Sequence, residues 1–292
     1  MNDAAPRLNV GQCATLACLL EANAPKVGNV HRAADFDDAT LNDFAASAVA
    51  IGPVLQQATK VPLGETVLRC VQATRQVAAT NTNLGTVLLL APLAAVPREE
   101  ALSEGSPAVL QAITPEDTAK VYEAIRLAKP GGLGESQEMD VHSTPPESLL
   151  DAMRVSAARD AVAAEYANGF TLTLEKVAPL LTSSRVQQRI SLPNAIVHTQ
   201  IQLLAEFGDS LIARKCGEDI NQQCMVRATR VLKSGSPHDE DYHKALSDFD
   251  FWLRSDGRRR NPGTTADLIA AGLFVCLRDG LISPPFGQEV LT

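Results

Sequence analysis

Apolar residues along this chain recur at helical spacing. After Thr114-Pro115-Glu116-Asp117, the positions Val121, Ala124, Ile125 and Ala128 share one helical face. Thr114 can cap that helix, Pro115 fits its first turn and Asp117 completes a capping box. Lys129-Pro130-Gly131-Gly132 stops it. A second long helix is expected over 148–167, with Leu149, Leu150, Met153, Ala157 and Ala161 on a broad apolar face, closing at Asn168-Gly169. Further helices are expected over 15–21, 41–57, 67–79, 87–90, 194–207 and 242–254, and from Pro262 towards Leu277. Strand alternation is almost absent; Thr171-Leu172-Thr173-Leu174 alternates but is too short to build a sheet alone. The pattern predicts an all-α protein, a single compact multi-helix domain over 11–292 behind a flexible N-terminus at 1–10. No stretch reads as an interdomain linker or a solenoid repeat. The Pro/Gly-rich loop Pro130 to Pro146 comes nearest to a linker, yet carries acidic and His residues that a site can use.

Composition narrows the functions. With 292 residues, 45% of them hydrophobic and 21% charged, the chain has enough apolar side chain for a sizeable core. Its net charge of −8 and its 8 Phe, 3 Tyr and 1 Trp argue against nucleic acid, which needs a cationic surface or stacking platforms. The longest apolar run, Val87 to Val96, is interrupted by Pro92 and falls short of the roughly 20 residues of a membrane span. The N-terminal residues lack the basic-then-apolar order of a secretory signal. Six scattered cysteines form no C-x-x-C pair and read as buried thiols of a reducing cytoplasm.

Polar residues sit awkwardly in four places. The segment from Glu21 through Lys26 to Arg32 ends an apolar helix in an irregular turn; Lys26, Arg32 and backbone N–H groups can hold a polyphosphate, and Glu21 can share a Mg²⁺. It reads equally as a capped helix end followed by a solvated loop. Thr80-Asn81-Thr82-Asn83 precedes the most apolar run, either as an N-cap and turn or as partners for a ribose and base. In Gly208 to Gly217, Asp209 and the Arg214-Lys215 pair can orient phosphate and metal, or form a salt-bridged helix face. Asn261 reads as the cap and Pro262 as the first position of a helix whose free N–H groups suit phosphate, with Arg258-Arg259-Arg260 just before it, or of a well-capped core helix behind a solvated basic turn. Gly131-Gly132-Leu133-Gly134 lacks the residues of a phosphate-binding loop, and no zinc helix or nucleophile elbow is present.

Taken in order, the four segments resemble the triphosphoribosyl-dephospho-CoA synthase family. Its P-K-P-G turn corresponds to Pro25-Lys26-Val27-Gly28, and its N-T-x-x-G segment to Asn81-Thr82-Asn83-Leu84-Gly85. Its G-D-T-N…R-G-G stretch corresponds to Gly208 to Gly217, and S-P-G-G-S-A-D-L-L to Asn261 to Ile269. The chain departs where Val27 replaces the second proline, where N-T-H-K-G becomes N-T-N-L-G, where Leu211 replaces an Asn, where G-A-R-G-E becomes Ala157-Ala158-Arg159-Asp160, and where G-x-H-x-D-M leaves only Ala33-Ala34-Asp35-Phe36. It is identified as a divergent member.

The resemblance implies an ATP-dependent transferase of cofactor biosynthesis. It moves the 5-triphosphoribosyl group of ATP onto an alcohol, dephospho-CoA in the family, and releases adenine, with Mg²⁺ accompanying ATP. Lys26, Arg214 and Lys215 are then expected on the phosphates, helped by Gly263 and Thr264, with Asn29, His31 and Arg32 also on ATP. Asn81, Thr82 and Asn83 are expected on ribose or base. Glu21, Asp35 and Asp209 are the candidates for general base, and Glu21, Asp209 and Asp267 for metal. Two other readings stand beside it: the same transfer to another cofactor precursor, such as a methanopterin-type one-carbon carrier, and a non-catalytic helical nucleotide-binding protein. A homo-oligomer is compatible with each reading.

Overall fold

The segment Gly263–Arg278 is apolar on every side, and thirteen of its sixteen residues are buried, which places it at the centre of the molecule. A computed structural model describes residues 7–129 and 145–286. In chain order the elements are α1 (Val10–Asn23), α2 (Leu41–Leu55), α3 (Leu63–Val77), α4 (Leu84–Ala95), α5 (Leu102–Gln111), α6 (Pro115–Ala128), α7 (Leu149–Ser156) and α8 (Ala161–Asn168). A π-helical turn (Leu172–Val177) leads into α9 (Ala178–Gln187), followed by α10 (Leu192–Phe207), α11 (Ser210–Cys216), α12 (Glu218–Lys233) and α13 (Glu240–Arg254). A four-residue extended stretch, β1 (Ser255–Arg258), precedes the central helix α14 (Gly263–Arg278). The chain is all-α. Among the described residues no helix is long and apolar enough to cross a membrane.

Two cores form. The larger is built from α1–α10 and α14, with Ile51, Leu89, Leu90, Phe170 and Phe274 among its fully buried members. The smaller gathers Ile201, Leu204, Ile212, Cys224, Val231, Tyr242, Phe249 and Leu253 from α10–α13, and Val27 reaches into it from the turn after α1. Helix α14 packs on α1, α4, α9, α10 and α11, so its first turn lies where elements of both cores meet.

Local chemistry explains where the expected helices hold and where they move. The α6 capping box forms as expected, Asp117 N–H donating to Thr114 Oγ1 at 3.1 Å and Thr114 N–H to Asp117 Oδ2 at 3.0 Å. The expected 148–167 helix is instead two helices, α7 and α8. Asp160 turns back and accepts the N–H groups of Val162 and Ala163, starting α8 afresh. Gly169 closes α8 at φ +69°, as its left-handed role requires. The alternating Thr171–Leu174 run is drawn into the π-helical turn by the buried Glu165 carboxylate, which accepts the N–H groups of Leu172 and Thr173. Helix α4 extends well beyond 87–90 and continues through Pro92. The ring leaves the Leu88 carbonyl without its helical donor, and Tyr166 Oη–H supplies one at 2.7 Å. Helix α14 begins one residue later than expected, with Pro262 before its first turn. The expected stop at Lys129-Pro130-Gly131-Gly132, like the loop to Pro146, falls largely outside the described residues.

Candidate functional site at the start of helix α14

Asp209 joins two helix starts. Its Oδ1 accepts Leu211 N–H at 2.9 Å and Ile212 N–H at 3.1 Å, capping α11. Its Oδ2 accepts Thr265 N–H at 2.7 Å and Thr265 Oγ1–H at 2.8 Å, capping α14. Burial pushes the Asp209 carboxyl above its ordinary pKa, against the pull of these four donors. Beside it Ser210 Oγ donates to Thr264 Oγ1 at 3.2 Å. Asp209 N–H donates to Asn221 Oδ1, and Gly208 must be glycine, since a Cβ there would lie 2.4 Å from that same oxygen.

The Pro25–His31 turn is clasped from three sides. Gln200, fully buried in α10, accepts Val27 N–H and donates to Val27 O and Asn29 Oδ1, each at 2.9 Å. Asp250 accepts Gly28 N–H at 2.7 Å, and Arg254 donates to Asn29 O at 2.7 Å. Asn29 Nδ2 donates to Asn261 Oδ1 at 2.6 Å, tying the turn to the residues just before α14. Asn261 therefore serves as a bracket rather than as the expected helix cap. Lys26 is fully buried; its Nζ lies 2.8 Å from Glu21 Oε1 and also donates to the Glu21 carbonyl. It closes the end of α1, and the N–H groups of Val27 and Gly28 are spent within the protein. The turn is thus clasped internally, from α1, α10 and α13. His31 lies below its ordinary pKa through burial and the nearby Arg254. Arg32 and Asp35 are exposed, and Asp35 accepts Leu41 N–H at the start of α2.

The third segment reaches the same place. Asn81 Oδ1 accepts the N–H groups of Asn83 and Leu84, starting α4. Thr82 shares a hydrogen bond with Ser47, and Asn83 Oδ1 accepts from Thr74, while the buried Asn83 Nδ2 has no partner among the described residues. Leu84, standing where the resembling motif carries Lys, packs into the larger core. Gly85 lies flush against Asp267: a Cβ there would sit 2.1 Å from Asp267 Oδ2. Thr86 Oγ1 donates to Asp267 Oδ1 at 2.6 Å. Burial pushes the Asp267 carboxyl up to about 7; the Thr86 bond opposes that rise, and the charges of Glu21 and Asp209 add to it.

Cations gather nearby. Arg214 pairs with Asp160 at 2.8 Å, Arg258 pairs with Asp38, and Thr80 Oγ1 donates to the Asp38 carbonyl. Lys215 is partly buried and, among the described residues, has no carboxylate within ion-pair distance. Its pKa is lowered by burial and then by the repulsion of Arg258. An ammonium group so placed is a ready partner for an anion.

Three acidic side chains expected as metal ligands do not form a ligand set. Asp209 has both oxygens filled by donors, Glu21 is neutralised by Lys26, and Asp267 is held by Thr86. Among the described residues no group of three His, Cys, Asp or Glu side chains is arranged to hold a metal ion. Sequence reasoning also passed over Gln200, Thr86, Thr265, Asp250 and Arg254. The signal for Gln200 was available, since His198-Thr199-Gln200 interrupts an otherwise apolar helix. The others lie next to segments already singled out, and only the fold reveals their partners.

The profile of the CitG family, ATP:dephospho-CoA triphosphoribosyl transferase, matches residues 7–284, a span that contains all four converging segments. Three chains of solved structure match. One is an Archaeoglobus fulgidus protein assigned as a triphosphoribosyl-dephospho-CoA synthase, 26% identical, covering 80% of this chain and 98% of that one with a TM-score of 0.61. No curated protein matches as a relative. The chain belongs to the ATP:dephospho-CoA triphosphoribosyl transferase family.

Proposed function

We propose that this protein transfers the 5-triphosphoribosyl group of ATP to an alcohol and releases adenine, with dephospho-CoA as the acceptor that the family description names. The observation supporting a site at the start of α14 is the bonding itself. Asn29 reaches Asn261, Asp209 and Ser210 reach Thr265 and Thr264, and Thr86 reaches Asp267. Segments far apart in sequence are drawn to one helix end, whose partial positive charge favours anions.

In this reading Lys215, with Arg258 and Arg214 beside it, holds the triphosphate. Gly263 and Thr264 border the phosphates, while Asp209 fixes the helix end they lie on. Mg²⁺ accompanying the nucleotide would neutralise the triphosphate charge, leaving Lys215, Arg258 and Arg214 to hold the phosphates. Asn81, Thr82 and Asn83 line the approach to ribose and base. Lys26, Glu21 and the Val27–Asn29 turn hold the framework. Asp35, His31 and Arg32 belong to the loop that borders this end of the molecule. The transfer passes through an oxocarbenium-like transition state, as in other glycosyl transfers, so the work of the chain is to anchor the phosphates and align the hydroxyl with C1′.

The test incubates the protein with ATP, Mg²⁺ and dephospho-CoA, or a pterin-type one-carbon carrier, and measures free adenine. Adenine release that depends on dephospho-CoA supports the reading; release only with the other carrier redirects the acceptor. ATP binding without adenine release from any acceptor would leave a non-catalytic nucleotide-binding protein. Lys215→Ala is expected to weaken ATP binding roughly 10- to 100-fold, the loss of one charge-assisted contact. Unchanged ATP affinity would remove Lys215 from the phosphate site.

A further inference from the structure

Four carboxylates are the candidates for base or metal, and three are committed elsewhere. Asp209 has both oxygens filled by the starts of α11 and α14. Glu21 is paired with the buried Lys26. Asp35 is exposed and bonded to the start of α2. Asp267 differs from all three. Thr86 holds the carboxylate through its hydroxyl at Oδ1 and also through its backbone N–H, and no other described residue donates to Oδ2. Gly85 gives that oxygen room that no other residue could leave.

Resting on the transferase reading above, we propose that Asp267 is the catalytic base that takes the proton of the attacking hydroxyl. As the acceptor oxygen forms its bond to ribose C1′, the C1′–N9 bond breaks and its electron pair leaves with adenine. The hydroxyl proton moves to Asp267 Oδ2; adenine takes up one proton, and Asp267 returns its own to solvent, so the exchange balances. Thr86 positions the carboxylate through Oδ1. The groups facing Asp267 suit this task. Glu21 and the thiol of Cys18 face it from α1, the Cys70 thiol lies behind Cys18 on α3, and Asp209 faces it from the start of α11. The Lys26 ammonium is turned to Glu21. With two carboxylates beside it and burial around it, Asp267 holds its proton up to about pH 7, near the value at which a base is most effective.

Adenine release is measured against pH for the wild type, Asp267→Asn and Thr86→Val, alongside ATP binding by each. Asp267→Asn is expected to lower kcat by 10²- to 10⁴-fold, the usual contribution of a general base. Its ATP affinity should stay within about threefold and its acid limb should disappear. Thr86→Val removes a donor that favours the ionised carboxylate, so the acid limb should move to higher pH, and the plateau rate should fall as the carboxylate loses an anchor. A wild type that releases adenine, paired with an Asp267→Asn protein within tenfold of its rate and showing the same acid limb, overturns this assignment and leaves the transferase reading standing. An unshifted limb in Thr86→Val overturns it even if Asp267→Asn fails to fold. A wild type that releases no adenine with any acceptor overturns both.

Discussion

Asp267 makes the stability of the folded chain depend on pH. Its ordinary pKa of 3.8 is raised in the folded protein to about 7, so the folded state binds the proton more tightly than the unfolded one. Its contribution is therefore complete below about pH 4 and is lost as pH rises towards 7. The slope reaches at most ~1.4 kcal/mol per pH unit and is smaller where water reaches the carboxyl. Urea unfolding of the wild type and Asp267→Asn between pH 4 and 8 should show this decline in the first and a flatter profile in the second. A wild-type stability that rises across the same window, by more than the variant's, would contradict the burial of this carboxyl. Little of this was legible in sequence. Asp267 stood one turn inside a helix and read as a metal ligand, because Gly85 and Thr86 approach it only through the fold.

At the scale of elements, side chains that close helix ends decide the layout. The Thr114–Asp117 box was readable because its partners lie three residues apart. The break between α7 and α8 was not, since Ala157 and Ala161 continue an apolar helical pattern across it and only Asp160 betrays the restart. Asp209 shows the limit most clearly. Its local cap on α11 follows from Asp209-Ser210 at a helix start, whereas its bonds to Thr265 span 56 positions. Asp209→Ala removes caps from two helices and leaves buried N–H groups without partners. The expected cost is about 2–4 kcal/mol, read from urea unfolding, as each cap contributes ~1–2 kcal/mol. A loss under ~1 kcal/mol would mean that α14 does not depend on this residue.

At the scale of the molecule, the helical class followed from periodicity, and the order of the polar interruptions followed from their motifs. Their meeting point did not, because it depends on where α14 runs. That helix is the hub, and the chain's distant polar segments are ordered by what they bond to at its start. Lys26 illustrates the cost of reading a motif without the fold. The sequence shows a cation in a turn, and the fold shows that cation turned inward on Glu21.

The Gln200 clasp has a further consequence, for which substitutions this chain tolerates. Gln200 Oε1 accepts a hydrogen bond from the main-chain N–H of residue 27, and a proline at that place, as in the resembling P-K-P-G motif, has no N–H to donate. The identities of positions 27 and 200, 173 apart along the chain, are therefore linked. Val27→Pro alone should cost ~1–3 kcal/mol by stranding a buried acceptor. Joined to Gln200→Leu it should cost less than the two separate losses added together, and strictly additive losses would show that the two positions vary independently.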